Sequence, residues 1–165
     1  MRATVIVGLC VAFAGPAIAG DGNDVGPCNP CFDVDDTLSP TPIYQTVDGS
    51  TSGQPYGEYA YYFCAVTGGV YTFTFCEGGG SATYDTILSV RGFNNCGAEL
   101  RACNDDFCGL SSHVEFTSPG EGNFIVVVQG FDGDVGKYRL AYRGPSCATT
   151  PTEAATWGTI KAMYN

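Results

Sequence analysis

The chain is 165 residues long, with seven Lys and Arg against 17 Asp and Glu, one His, nine Cys and a formal net charge of −10. Basic residues this few and scattered exclude nucleic acid and anionic membrane surfaces as partners, because both are bound through dense positive charge. An acidic balance of this kind attracts cations.

Arg2 precedes an apolar run from Val5 to Ala14, Pro16 breaks it, and Ala17-Ile18-Ala19 offers a small-x-small cleavage site. Residues 1–19 therefore read as a secretory signal peptide cut after Ala19, which predicts a secreted or cell-surface protein. Leu9 is bulky where a lipoprotein signal requires a small residue before its cysteine, so Cys10 leaves with the leader. No later stretch approaches the roughly 18 apolar residues of a membrane-spanning helix. Losing Arg2 and Cys10 leaves six Lys and Arg against 17 Asp and Glu, a charge of −11, and eight cysteines. An even cysteine count in an exported chain predicts disulfides. They would supplement a core, since a chain of about 146 residues removes roughly 68–70% of its unfolded surface from water.

Residues 20–57 carry Gly, Pro, Asp, Ser and Thr with little apolar periodicity, and predict an irregular N-terminal segment with one short strand at Ile43–Val47. From Glu58 the pattern changes. YAYYFCAV, VYTFTFC, TILSVRG, LRAC, HVEFT, NFIVVVQG and KYRLAYR are short, aromatic and β-branched, and separated by Gly-rich turns. About eight strands at this spacing predict an all-β, antiparallel, jelly-roll-like sandwich over residues 58–144. Tyr71, Phe73 and Phe75, then Val114 and Phe116, then Tyr138, Leu140 and Tyr142 alternate with polar neighbours, one face to the core and one to solvent. Phe124 to Val128 is apolar at every position and predicts a central strand covered on both faces. In residues 145–165 a Thr/Pro/Ala linker precedes ATWGTIKAMYN, with Trp157, Ile160, Met163 and Tyr164 at helical spacing. That helix is too short to stand alone, so it docks on the sandwich or is read by something else. The WG-x-IK-x-x-Y ending resembles recurrent C-terminal tails of exported bacterial proteins.

With consecutive strands antiparallel, alternate connections share one end of the sandwich. The connections 77–85, 104–112 and 130–136 then gather Glu77, Asp85, Asp105, Asp106, Asp132 and Asp134. Calcium takes six to eight oxygens, which short acidic Gly-containing loops supply, so calcium is the candidate cofactor, with Asp85, Asp105 and Asp106 the leading ligands and Asp132 and Asp134 beside them. The alternative is a solvated acidic rim, with Asp85 bonded to its own strand start and Asp105 and Asp106 in an Asx-type turn. Asp33, Asp35 and Asp36 with Asp21 and Asp24 form a second acidic group, an independent calcium site or a polar lead-in. Phe107 and Phe131, in the same loops, are candidate ligand-binding aromatics.

The same loop placement predicts a Cys76–Cys108 disulfide, and Cys96 and Cys103, flanking a short connection, a second. Cys28, Cys31, Cys64 and Cys147 pair in an order the sequence leaves open. Cys28-x-x-Cys31 lacks the helix N-terminus of a redox pair and the further free ligands of a zinc site. His113 follows Ser111 and Ser112 but falls on the outward parity of its strand beside Glu115. With no nucleophile elbow or oxyanion loop, a Ser-His-Asp site is not expected. The paired carboxylates lack a sugar cleft around them, and no catalytic residue is predicted.

YAYYFCAV, VYTFTFC, YDTILSV, CNDDFCG with SSHVEF, and NFIVVVQGFDGDVGKYRL occur in an order and spacing that resembles the bacterial pre-peptidase C-terminal domain over about residues 58–143. The resemblance implies a secreted, non-catalytic β-sandwich. Members of that family are appended to exported proteases and other enzymes and are thought to aid secretion, substrate adhesion or maturation, and related collagen-binding modules bind calcium. No peptidase domain precedes the module here, so a stand-alone version is expected, and no residue matches the collagen-binding surface. The reading is a secreted binding or accessory module for an extracellular protein or polysaccharide, its oligomeric state open. A cell-surface assembly protein and a small secreted hydrolase are the alternatives.

Overall fold

The first strand in the chain lies where no periodic pattern predicts one. In the computed structural model, which describes Cys28, Cys31 and residues 33–93 and 95–147, β1 (Asp36–Leu38) lies parallel to β3 (Glu58–Ala65). β2 (Gln45–Ser50) follows, then β4 (Val70–Thr74), β5 (Ser81–Ala82), β6 (Thr86–Arg91), β7 (Leu100–Asn104), β8 (His113–Thr117), β9 (Gly122–Gly130) and β10 (Lys137–Arg143). One sheet runs β1-β3-β9-β6-β7; the other runs β2-β10-β4-β8, with β5 also on β10. The fold is an all-β sandwich of antiparallel-rich sheets. No helix among the described residues is long and apolar enough to cross a membrane. The expected signal peptide, Asp21 and Asp24, and the C-terminal amphipathic stretch lie outside the described residues.

The core follows the expected parity. Tyr71 and Phe73 of β4, Val114 and Phe116 of β8, and Tyr138 and Leu140 of β10 face Phe63 of β3 and Phe124, Val126 and Val128 of β9. Phe63 sits among four rings, with Phe73 at 4.8 Å, Tyr71 at 5.2 Å, Phe124 at 6.0 Å and Phe116 at 6.2 Å between centroids. Such edge and tilted contacts add to simple burial. Tyr61 and Tyr138 satisfy each other's hydroxyls across the core at 2.8 Å.

Two departures from the expected pattern matter. Residues 33–57, expected to be irregular, supply one strand to each sheet, and β2 begins at Gln45 and runs on to Ser50 beyond the expected Ile43–Val47. Thr72 and Thr74, on the solvent parity of β4, are buried. The 40–44 segment crosses that outer face: Thr41 accepts from the Gly144 amide, and Tyr44 lies under the Arg143 guanidinium at 4.6 Å.

Four cysteine pairs close the fold: Cys28–Cys103, Cys31–Cys96, Cys64–Cys147 and Cys76–Cys108, with Cα separations of 6.1, 4.7, 5.9 and 6.1 Å. The Cys76–Cys108 pair is the expected one. Cys96 and Cys103 are not joined to each other; each takes one cysteine of the Cys28-x-x-Cys31 segment. The reason is the second face of β9. Ile125 and Val127 point away from the main core and are covered, with Ala60, by Cys31, Val34 and Cys96. Arg91, 4% exposed, anchors the same segment by donating to the Cys28 carbonyl at 2.7 Å and the Ala98 carbonyl at 3.1 Å. The wholly apolar run of β9 therefore has a roof made of cross-links and one buried arginine.

Candidate functional site

The acidic end is built from the starts of β6 and the loops that meet it. Thr86, wholly buried at the head of β6, receives its backbone bond from the 105–112 loop: its amide donates to the Leu110 carbonyl at 3.0 Å. Ser112 completes the clamp. Its amide donates to Thr86 Oγ1 at 2.9 Å, the two hydroxyls lie 3.0 Å apart, and Ser112 Oγ donates to the Asp105 carbonyl at 2.7 Å. On the other side Phe131 donates its amide to the Asp85 carbonyl at 3.0 Å, and the Asp85 amide donates to Asp134 Oδ2 at 3.2 Å. Gly130 is required at this junction, because a Cβ there would collide with the Asp134 carbonyl. The Cys76–Cys108 bridge ties the far side of the 105–112 loop to the end of β4.

This scaffold brings Asp85, Asp105 and Asp106 together, one carboxylate oxygen of each lying within 4.8 Å of the others. Two oxygens bound to one calcium at about 2.3–2.6 Å can be at most ~5.2 Å apart, and each pair of these three meets that limit. Asp85 Oδ1 and Asp105 Oδ1 are shut off from solvent and accept no hydrogen bond among the described residues. Burial first, then the neighbouring Asp106 and Asp134 charges, push the Asp85 carboxyl above its ordinary pKa. Burial, then Asp106 and Asp85, do the same for Asp105. Both shifts come first from burial and then from the neighbouring negative charges.

The other expected members divide. Asp134 stands beside the cluster, with Oδ2 on the Asp85 amide and Oδ1 on the Val135 amide. Asp132 is exposed at φ 50°, in a left-handed turn, and is not among the three gathered carboxylates. Glu77 is elsewhere: its Oε1 accepts from the Tyr44 hydroxyl at 2.5 Å and lies 3.7 Å from His113 Nδ1. The short β5 turns the chain onto β10 after Glu77 and separates it from Asp85. In the N-terminal acidic group Asp35 accepts the Ala60 amide at 2.8 Å, the role of a polar lead-in.

Phe107 and Phe131 are both exposed at this end, at 63% and 45%. Phe107 stacks on His113 with centroids 4.5 Å apart and planes at 23°. The sequence reading missed their apolar neighbours Leu110, at 62%, and Val135, at 42%; an apolar residue inside a Gly/Ser/Asp loop was the available signal. Ser112 and His113 leave an extended chain on opposite sides. The serine hydroxyl is committed to Thr86 and Asp105, while the imidazole faces Glu77 and Phe107. Away from this end, a groove of about 340 Å³ on the outer face of the second sheet is lined by Pro42, Val70, Thr72, Glu115, Arg143, Gly144 and Pro145.

No family model matches the chain, and no curated protein matches it. Among solved structures it is similar to the pre-peptidase C-terminal domain of a collagenase from Bacillus anthracis, at 15% identity and a TM-score of 0.47 over 67% of this chain and 97% of that one. It is also similar to PliG of Aeromonas hydrophila, a periplasmic lysozyme inhibitor of g-type lysozyme, at 17% identity and a TM-score of 0.48 over 67% of this chain and 99% of that one. A mutant of the corresponding Escherichia coli inhibitor aligns at 12% identity and a TM-score of 0.43, over 66% and 96%. No residue role is carried over at these identities.

Proposed function

We propose that this chain is an exported, non-catalytic binding module with its ligand surface at the acidic loop end, where a calcium ion sits when no ligand is bound. The observation that carries the reading is the gathering of Asp85, Asp105 and Asp106 within 4.8 Å, with two of their oxygens buried and without a hydrogen bond among the described residues. Three gathered negative charges raise the energy of the folded state unless a cation bridges them. The ion would pin the 105–112 loop to the start of β6, and the exposed aromatics Phe107 and Phe131 ride on the loops it would fix. Four cysteine pairs fit an oxidising compartment, in keeping with a leader removed on export.

The test is thermal unfolding of the oxidised protein with calcium and with chelator. Calcium at 100 times its dissociation constant stabilises by about 2.7 kcal/mol, roughly 5–11 °C in Tm for a domain of this size. Asp105→Asn should abolish that gain. An equal Tm in calcium and chelator refutes the calcium reading and leaves a solvated acidic rim.

A further inference from the structure

Beside its carboxylates the acidic end carries exposed apolar side chains. Leu110 and Phe131 flank the start of β6 from both sides, one bonded through its carbonyl to Thr86 and the other through its amide to Asp85. Phe107 follows Asp106 directly, and Val135 follows Asp134. Val135 Cγ1 lies where a side chain at Gly57 would stand, and the preceding residue, Tyr56, is 78% exposed. Five of the eight large hydrophobic side chains exposed among the described residues thus belong to this one end. Exposed apolar groups concentrated in this way mark a contact surface, and an apolar ring around a charged centre is the anatomy of a protein interface anchored by one long charged side chain.

Charge decides the occupant. A second copy would bring another chain of −10 against the same carboxylates, and nucleic acid and anionic polymers are repelled likewise. The Asp85, Asp105 and Asp106 carboxylates, gathered within 4.8 Å with Asp106 exposed, are complementary to an ammonium or guanidinium group. We propose that this end docks a basic protein: a Lys or Arg of the partner enters the Asp85–Asp105–Asp106 cluster while apolar residues beside it cover Phe107, Leu110 and Phe131. The proposal rests on the binding-module reading and names its partner class. It uses the carboxylates assigned to calcium, so ion and partner compete.

The experiment selects a phage-displayed library of random cyclic peptides on the oxidised chain in chelator, then measures the affinity of the selected peptides for variants. The expected consensus is Lys or Arg flanked by aromatic or aliphatic residues. Binding should fall at least tenfold in Leu110→Ser and in Asp106→Asn, both exposed positions, stay unchanged in Thr67→Ala at the opposite end, and weaken when calcium is added. Failure to select any peptide, a consensus without a basic residue, or wild-type binding by Leu110→Ser or Asp106→Asn overturns the proposal. A calcium titration of the same preparation separates the two readings. Calcium binding without peptide binding refutes only the partner; peptide binding in the absence of any calcium response refutes only the ion.

Discussion

Removing the Cys76–Cys108 bridge tests how the acidic end is held. The two cysteines are 32 residues apart. In the chain-entropy account a loop of that length restricts the unfolded chain by about 3.7 kcal/mol, and Cys76→Ser with Cys108→Ser should lose about that much stability. With a urea m-value of ~2 kcal/mol/M, the midpoint followed by far-UV circular dichroism should fall by roughly 1.8 M. The control is Cys64→Ser with Cys147→Ser, whose separation of 83 residues predicts a larger loss, about 4.6 kcal/mol. Cys108 lies in the loop that carries Asp105 and Asp106, whereas Cys64 and Cys147 lie away from it. The less destabilised variant should therefore be the one that loses calcium affinity. Equal calcium affinity in the two variants, or a loss below about 1 kcal/mol in the first, refutes this account of the loop.

Three further outcomes follow from the same geometry. Because the Asp85 and Asp105 carboxyls are raised, the calcium-free folded state takes up protons before the unfolded chain does. Its stability should rise as pH falls from neutral toward the ordinary carboxylate range near about 4. Below that, Asp48, held low by its hydrogen bond from Arg139, is protonated and its contribution is lost. Asp105→Asn should flatten the rise and increase Tm at pH 7 in chelator, read by calorimetry across pH. Ser112→Ala removes the hydroxyl that serves Thr86 and the Asp105 carbonyl, and should cost about 1–3 kcal/mol in urea while weakening calcium binding. Arg91→Met should cost about 1–3 kcal/mol for each of the Cys28 and Ala98 carbonyls left without a donor, with calcium affinity unchanged.

The strands from Glu58 onward were legible because their side chains obey a two-residue period against a single core. HVEFT forms β8 residue for residue, and the apolar run at Phe124–Val128 is buried on both faces. β1 and the Cys28–Cys31 segment carry no such period. β1 is held by its parallel pairing with β3, and Cys28 and Cys31 by Cys103, Cys96 and Arg91, contacts distant in sequence, so the Cys96–Cys103 pairing expected from proximity along the chain does not form. The acidic cluster was legible as far as alternating strands place loops at one end. Glu77 escaped because β5 redirects the chain, and the cover over Thr72 and Thr74 was hidden because Tyr44 and Arg143 meet only across the folded sheet. The apolar ring of Leu110 and Val135 carries no period at all and is visible only once the loops are side by side.

The most direct measurement of the central claim is isothermal titration of calcium into the oxidised, metal-stripped protein, alongside Asp105→Asn. The account predicts binding by the wild type with one ion at the Asp85–Asp105–Asp106 cluster, and its loss in the variant. No heat of binding in the wild type, or the same isotherm in Asp105→Asn, would contradict it.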